Sequence, residues 1–90
     1  MTETQLLQEF EALAHRLEIH VSHVDLEGGP GGFCVIRGER RFILDRGLDA
    51  KTQVEIFARE LSRLPLDDVH MVPALRDRIE TTRWVSSSDY

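Results

Sequence analysis

Gly31-Gly32-Phe33-Cys34-Val35-Ile36-Arg37-Gly38-Glu39-Arg40-Arg41-Phe42-Ile43-Leu44-Asp45 contains two short apolar runs joined by a tight turn. The runs are Phe33 to Arg37 and Arg40 to Asp45, and Gly38-Glu39 between them suits a two-residue hairpin turn with glycine at the positive-φ position. With Arg37 opposite Arg40, alternation puts Phe33, Val35, Phe42 and Leu44 on one face and Cys34, Ile36 and Ile43 on the other. Both faces are largely apolar. Helices can cover one of them in so short a chain, which leaves the second for a partner, another copy, or the first helix wrapping round. The plainer alternative is helices on both sides.

Upstream, Gly28-Gly29-Pro30-Gly31-Gly32 holds four glycines and a proline and reads as a loop. Before it, Glu18 to Leu26 alternates with Ile19 and Val21 on one side, then switches to Val24 and Leu26, so a bulge or a strand end is expected near Ser22. Leu6, Phe10, Leu13 and Leu17 recur at helical spacing behind a capping box of Thr2 and Gln5. This predicts a first amphipathic helix.

Downstream, Asp49 caps a second predicted helix whose buried stripe is Val54, Phe57, Ala58, Leu61 and Leu64, stopped by Pro65. Pro73 then opens a short third helix carrying Leu75 and Ile79. The whole reads as an α+β domain: a small antiparallel sheet of about three strands, an N-terminal helix and two C-terminal helices. Residues 1–84 are expected to form a single compact domain, with residues 85–90 a frayed tail.

Composition narrows the function classes. The chain has 90 residues, 41% apolar and 30% charged, which suits a folded domain rather than a disordered segment. A chain of this size buries about 60 to 65% of its unfolded surface, so stability is expected to be modest. The net charge of −5 repels a phosphate backbone, and no nucleic-acid role is expected. Cys34 is the only cysteine, which excludes an internal disulfide and fits a reducing cytoplasm. No apolar run reaches membrane-spanning length, and Met1 to Leu17 carries acids instead of a basic start, so neither export nor membrane insertion is expected.

The histidines at 15, 20, 23 and 70 do not make a metal motif. His20 and His23 point to opposite faces of a strand, and structural zinc wants four ligands at defined spacing. No metal or cofactor is expected. Cys34 after a glycine loop invites a nucleophile reading, but cysteine is more often a small apolar filler, and no base is fixed beside it. Arg37, Arg40 and Arg41, with Arg46 just beyond, form a positive cluster at the hairpin tip. It could dock an acidic segment through forked hydrogen bonds, or be a solvated turn balanced by Glu39 and Asp45.

Arg41-Phe42-Ile43-Leu44-Asp45, a short link, and then Gln53 to Leu64 resembles the strand and active-site helix of zincin-type metallopeptidases, in which His-Glu-x-x-His presents two histidines one turn apart. Arg59 stands at the first histidine, Glu60 matches the general base, and Arg63 replaces the second histidine. A guanidinium has no lone pair to give zinc, so the resemblance implies a degenerate core without metal or peptidase activity. The plain alternative is a surface helix with Glu55 and Arg59 as an i,i+4 pair. Gly31 to Gly38, with Pro73-Ala74-Leu75-Arg76 downstream, also looks like small uncharacterised bacterial proteins of similar length, a likeness that supplies no activity.

The expectation is a non-catalytic cytoplasmic protein that works by contact with a protein partner or as a homodimer. Its candidate contact residues are Arg37, Arg40, Arg41, Ile36 and Ile43. The alternative is an enzyme using Cys34 as nucleophile or Glu60 as an acid-base group in a zincin-like remnant.

Overall fold

The computed structural model describes residues 1–29 and 31–87, the side chains of 86 and 87 excepted. Three helices and a three-stranded sheet follow in the order α1 (Glu3–Arg16), β1 (His20–Val24), β2 (Gly31–Ile36), β3 (Glu39–Asp45), α2 (Ala50–Leu61) and α3 (Pro73–Ser87). The α+β class, the N-terminal helix and the two C-terminal helices stand as expected.

α1 begins on the Thr2 capping box: Gln5 N–H donates to Thr2 Oγ1 at 3.1 Å, and Thr2 N–H to Gln5 Oε1 at 2.8 Å. It ends where Glu18 turns left-handed at φ 59, letting Ile19 N–H reach Ala14 O at 2.8 Å and Glu18 N–H reach His15 O at 3.0 Å. Those two bonds satisfy carbonyls that the last turn would otherwise leave open. Ile19 thereby drops into the core at 3% exposure and starts the chain into β1.

The sheet order is β1-β3-β2, with β2 antiparallel and β1 parallel to β3. It is therefore mixed, where a purely antiparallel sheet was expected. The glycine-rich loop carries the chain from one edge of the sheet to the other, leaving the middle place free for β3, which returns beside β1 in the same direction. β1 runs regularly from His20 to Val24 without a bulge at Ser22. Val21 pairs with Phe42 and faces the helices, while Val24 continues onto the opposite face. The apolar switch at Val24 thus marks an apolar stripe on the second face of the sheet.

The hairpin turn is Arg37-Gly38, one residue earlier than Gly38-Glu39, because Arg37 itself is left-handed at φ 52 beside Gly38 at φ 81. Positive φ at both central residues is the turn that matches strand twist. The pairing shifts by one residue on each strand, to Ile36 with Glu39 and Phe33 with Phe42. Such a double shift leaves every side chain on its expected face.

α1 and α2 lie against one face of the sheet, and α3 packs on those two helices. Phe42 and Leu44 of β3, with Phe33 and Val21 beside them, share one core with Phe10 and Leu13 of α1 and Val54, Phe57 and Leu61 of α2, which Leu75 and Ile79 of α3 extend from the helix side. Phe57 sits at the centre, 5.8 Å from Phe10 in a stacked pair and 4.5 Å from Phe42. α3 is longer than the short helix expected. It runs on through Val85 to Ser87, so the expected tail begins inside the helix, and Ser88 to Tyr90 lie outside the described residues. Its later turns are held by polar contacts: Arg78 pairs with Glu3 at 3.1 Å, and Arg83 donates to the carbonyls of Ser62 and Leu64.

Asp45 and Asp49 brace the way into α2. Leu26 N–H and Gly47 N–H both donate to Asp45, and the Leu26 bond first, then the Gly47 bond, holds its carboxyl below the ordinary value of 3.8. The Thr52 hydrogen bonds lower Asp49 in the same way. A carboxylate depressed in the folded state stabilises fully above the unfolded value and loses that contribution as pH falls through the folded value. Asp45→Asn is therefore expected to cost stability above pH 3.8 and to converge on the wild type below it. Urea denaturation across the acid range checks this; a difference that persists unchanged into strong acid contradicts it.

Candidate functional site

The outer face of the sheet carries His20, Ser22 and Val24 from β1, Glu39, Arg41, Ile43 and Asp45 from β3, and Cys34 and Ile36 from β2, so that Val24, Ile43, Cys34 and Ile36 form a diagonal apolar stripe between polar flanks. No helix covers them, and none of the four apolar members belongs to the buried core. Ile36 is 46% exposed and Val24 36%, while Ile43 and Cys34 on the inner columns are half-buried by their neighbours. An apolar stripe open to solvent is uncommon on a monomer unless something docks there. Ile36 and Ile43 thus share the open face expected of them.

Arg41 stands in the middle of this face, its guanidinium held to Glu39 at 2.7 Å, with Nε screened from solvent and without a hydrogen-bond partner among the described residues. The hairpin arginines do not form one patch. Arg40 points the other way, to the helix side, and donates through Nη2 to Leu17 O at the end of α1. It serves the fold. Arg37 projects from the turn, exposed and, among the described residues, without an ion pair or side-chain hydrogen bond, and Arg46 is likewise exposed.

Cys34 is a free, half-buried thiol whose neighbour across the sheet is Arg41. His20 shares its face but sits two strands away, roughly 10 Å. Among the described residues no group of three or more His, Cys, Asp or Glu could hold a metal ion, and no helix is long and apolar enough to cross a membrane.

On α2, Arg59 is exposed and Glu60 is half-buried beside β2, close enough that a Cβ on Gly32 would lie 3.6 Å from its Oε1. Its Oε2 holds Arg63 at 3.0 Å. The helix ends at Leu61 with Ser62 as cap, so Arg63 sits in the turn beyond it.

His23 points inward, unlike His20. Its Nε2 donates to Gln53 Oε1 at 2.9 Å, with Glu11 at 3.9 Å, and Gln53 Nε2 donates to Leu48 O at 3.0 Å. Sequence reasoning passed over this link between β1 and α2. Its signal was Gln53 itself, a polar residue four positions before Phe57 on the buried stripe. Comparison with protein-family models, with curated proteins and with solved structures finds no match to this chain.

Proposed function

We propose that the chain is a non-catalytic cytoplasmic protein that works through protein contact or self-association, presenting the outer face of its sheet and the hairpin that ends it. The observation that carries this reading is the apolar stripe of Val24, Cys34, Ile36 and Ile43 on a face that the helices leave open. A contact surface combines an apolar centre with arginine, a residue enriched at interfaces. Here Arg41 stands among the apolar side chains and Arg37 at their margin.

Two features support a non-catalytic reading over the enzyme alternative. Cys34 has no histidine within reach on its own face to serve as a base, and the guanidinium of Arg41, its neighbour across the sheet, is already held by Glu39. Glu60 is tied to Arg63 and stands between two arginines, neither of which gives a lone pair to a metal.

Ile43→Glu tests the face. A carboxylate planted among its apolar side chains is expected to leave the helical circular dichroism intact and to weaken association at least tenfold, read by sedimentation equilibrium for self-association. Loss of all folding would place Ile43 in the internal core instead, and unchanged association would remove the outer face from the contact.

A further inference from the structure

We infer that β2 pairs with β2 of a second copy of the chain, antiparallel about a two-fold axis at Cys34, joining two three-stranded sheets into one. This rests on the self-association reading above and sets the contact along the β2 edge, beside the open face.

β2 is an edge strand, since β3 lies between it and β1. A two-residue turn closes with a hydrogen bond from Glu39 N–H to Ile36 O, and antiparallel pairs alternate, so Ile36 and Cys34 turn their backbone groups toward β3. Phe33 and Val35 therefore turn theirs to the open side. Among the described residues no loop, turn or cap bond reaches them.

Edge strands are ordinarily guarded by charge, proline or a bulge. Gly31 to Ile36 has no charged residue and no proline, whereas the other edge, β1, carries His20 and His23. Two antiparallel copies of β2 consequently oppose no like charges. Placing Cys34 on the axis makes Phe33 and Val35 of the two copies exchange backbone hydrogen bonds. Val35, 59% exposed in the single chain, then lies against Phe33 of the second copy, and Ile36 lies over Gly32.

Charge supplies the specificity. Arg37 follows β2 at one end, and Glu60 stands beside Gly32 at the other, its Oε1 without a hydrogen bond among the described residues. Antiparallel pairing brings Arg37 of each copy opposite Gly31 of the other, next to Glu60. Two symmetric ion pairs close the ends of the strand pair. Arg37 is moreover held at φ 52, where asparagine or glycine is usual, so the turn keeps a guanidinium there at a conformational cost.

Sedimentation equilibrium of the full chain tests the pairing, with circular dichroism as the check on folding. The wild type is expected to dimerise reversibly, and Val35→Pro, which removes an outward N–H without touching the β3 ladder, to raise the dissociation constant roughly 100-fold. If proline unfolds the chain, Val35→Lys decides, because it sets two lysines diagonally across the pair at positions about 7–8 Å apart. Arg37→Glu should weaken the dimer about tenfold, and adding Glu60→Arg should restore most of that loss. A monomer at every concentration overturns the inference. So does a dimer indifferent to the Val35 variants but broken by Ile43→Glu, a result that would leave the outer-face reading standing.

Discussion

Phe57→Ala is expected to lower the thermal midpoint by roughly 15–30 °C, the largest loss from any single truncation of the core. The ring is fully buried and touches both layers, stacking on Phe10 of α1 and tilting against Phe42 of β3, which in turn meets Phe33 edge-on at 5.4 Å. Removing it opens a void between sheet and helices, lined by Phe10 and Phe42. Truncations of this kind cost about 3–5 kcal/mol, against a total stability of roughly 0.05–0.15 kcal/mol per residue. Trp84→Ala is the control: at 72% exposure the indole should be worth less than about 0.5 kcal/mol. Melting followed by circular dichroism separates the two, and equal shifts would mean that Phe57 is not where the layers meet.

Gly31→Ala should be nearly as damaging, for a backbone reason. Gly31 has φ +94, and an added Cβ would fall 1.8 Å from Ile43 O and 2.8 Å from Ile43 C. Both are main-chain atoms of the central strand and cannot swing aside. The start of β2 must then detach from Leu44, its partner in the ladder, at an expected cost of about 2–4 kcal/mol from strain and lost pairing. Gly29→Ala, where nothing lies within 4 Å, should leave stability almost unchanged. Denaturant midpoints for the two variants give the comparison. Equal midpoints would show that the loop does not enter the sheet at Gly31.

What sequence could reveal followed from local chemistry. The Thr2 and Gln5 capping box, the Asp49 cap and the stripes of α1 and α2 each depend on residues within two turns of one another. The faces of the hairpin were legible too, because alternation fixes them even when the turn moves by one residue. The turn itself was not, since an arginine in the left-handed region runs against propensity. Nor was the parallel pairing of β1 with β3, because alternation within a strand says nothing about which neighbour it joins. α3 outran its apolar signal after Ile79, as Arg78 and Arg83 hold it through ion pairs and carbonyls distant in sequence.

The candidate site divides the same way. Ile36 and Ile43 fell where alternation put them. The arginine cluster came apart because Arg40 and Arg41 are adjacent in a strand and must point to opposite faces, a consequence that their closeness in sequence conceals.

The central claim is that the sheet has one face packed under helices and one apolar face that the chain leaves open. The five isoleucines report on it, because Ile19, Ile56 and Ile79 are buried at 2–3% exposure while Ile36 and Ile43 lie on the outer face. Methyl NMR of isoleucine-labelled protein, at a dilution where it is monomeric and with a soluble paramagnetic agent present, reads all five at once. The Ile36 methyl signal should be strongly attenuated and that of Ile43 clearly so, with Ile19, Ile56 and Ile79 protected. Ile36 and Ile43 as protected as the other three would mean that the chain covers its own sheet on both sides, leaving no open face for a partner.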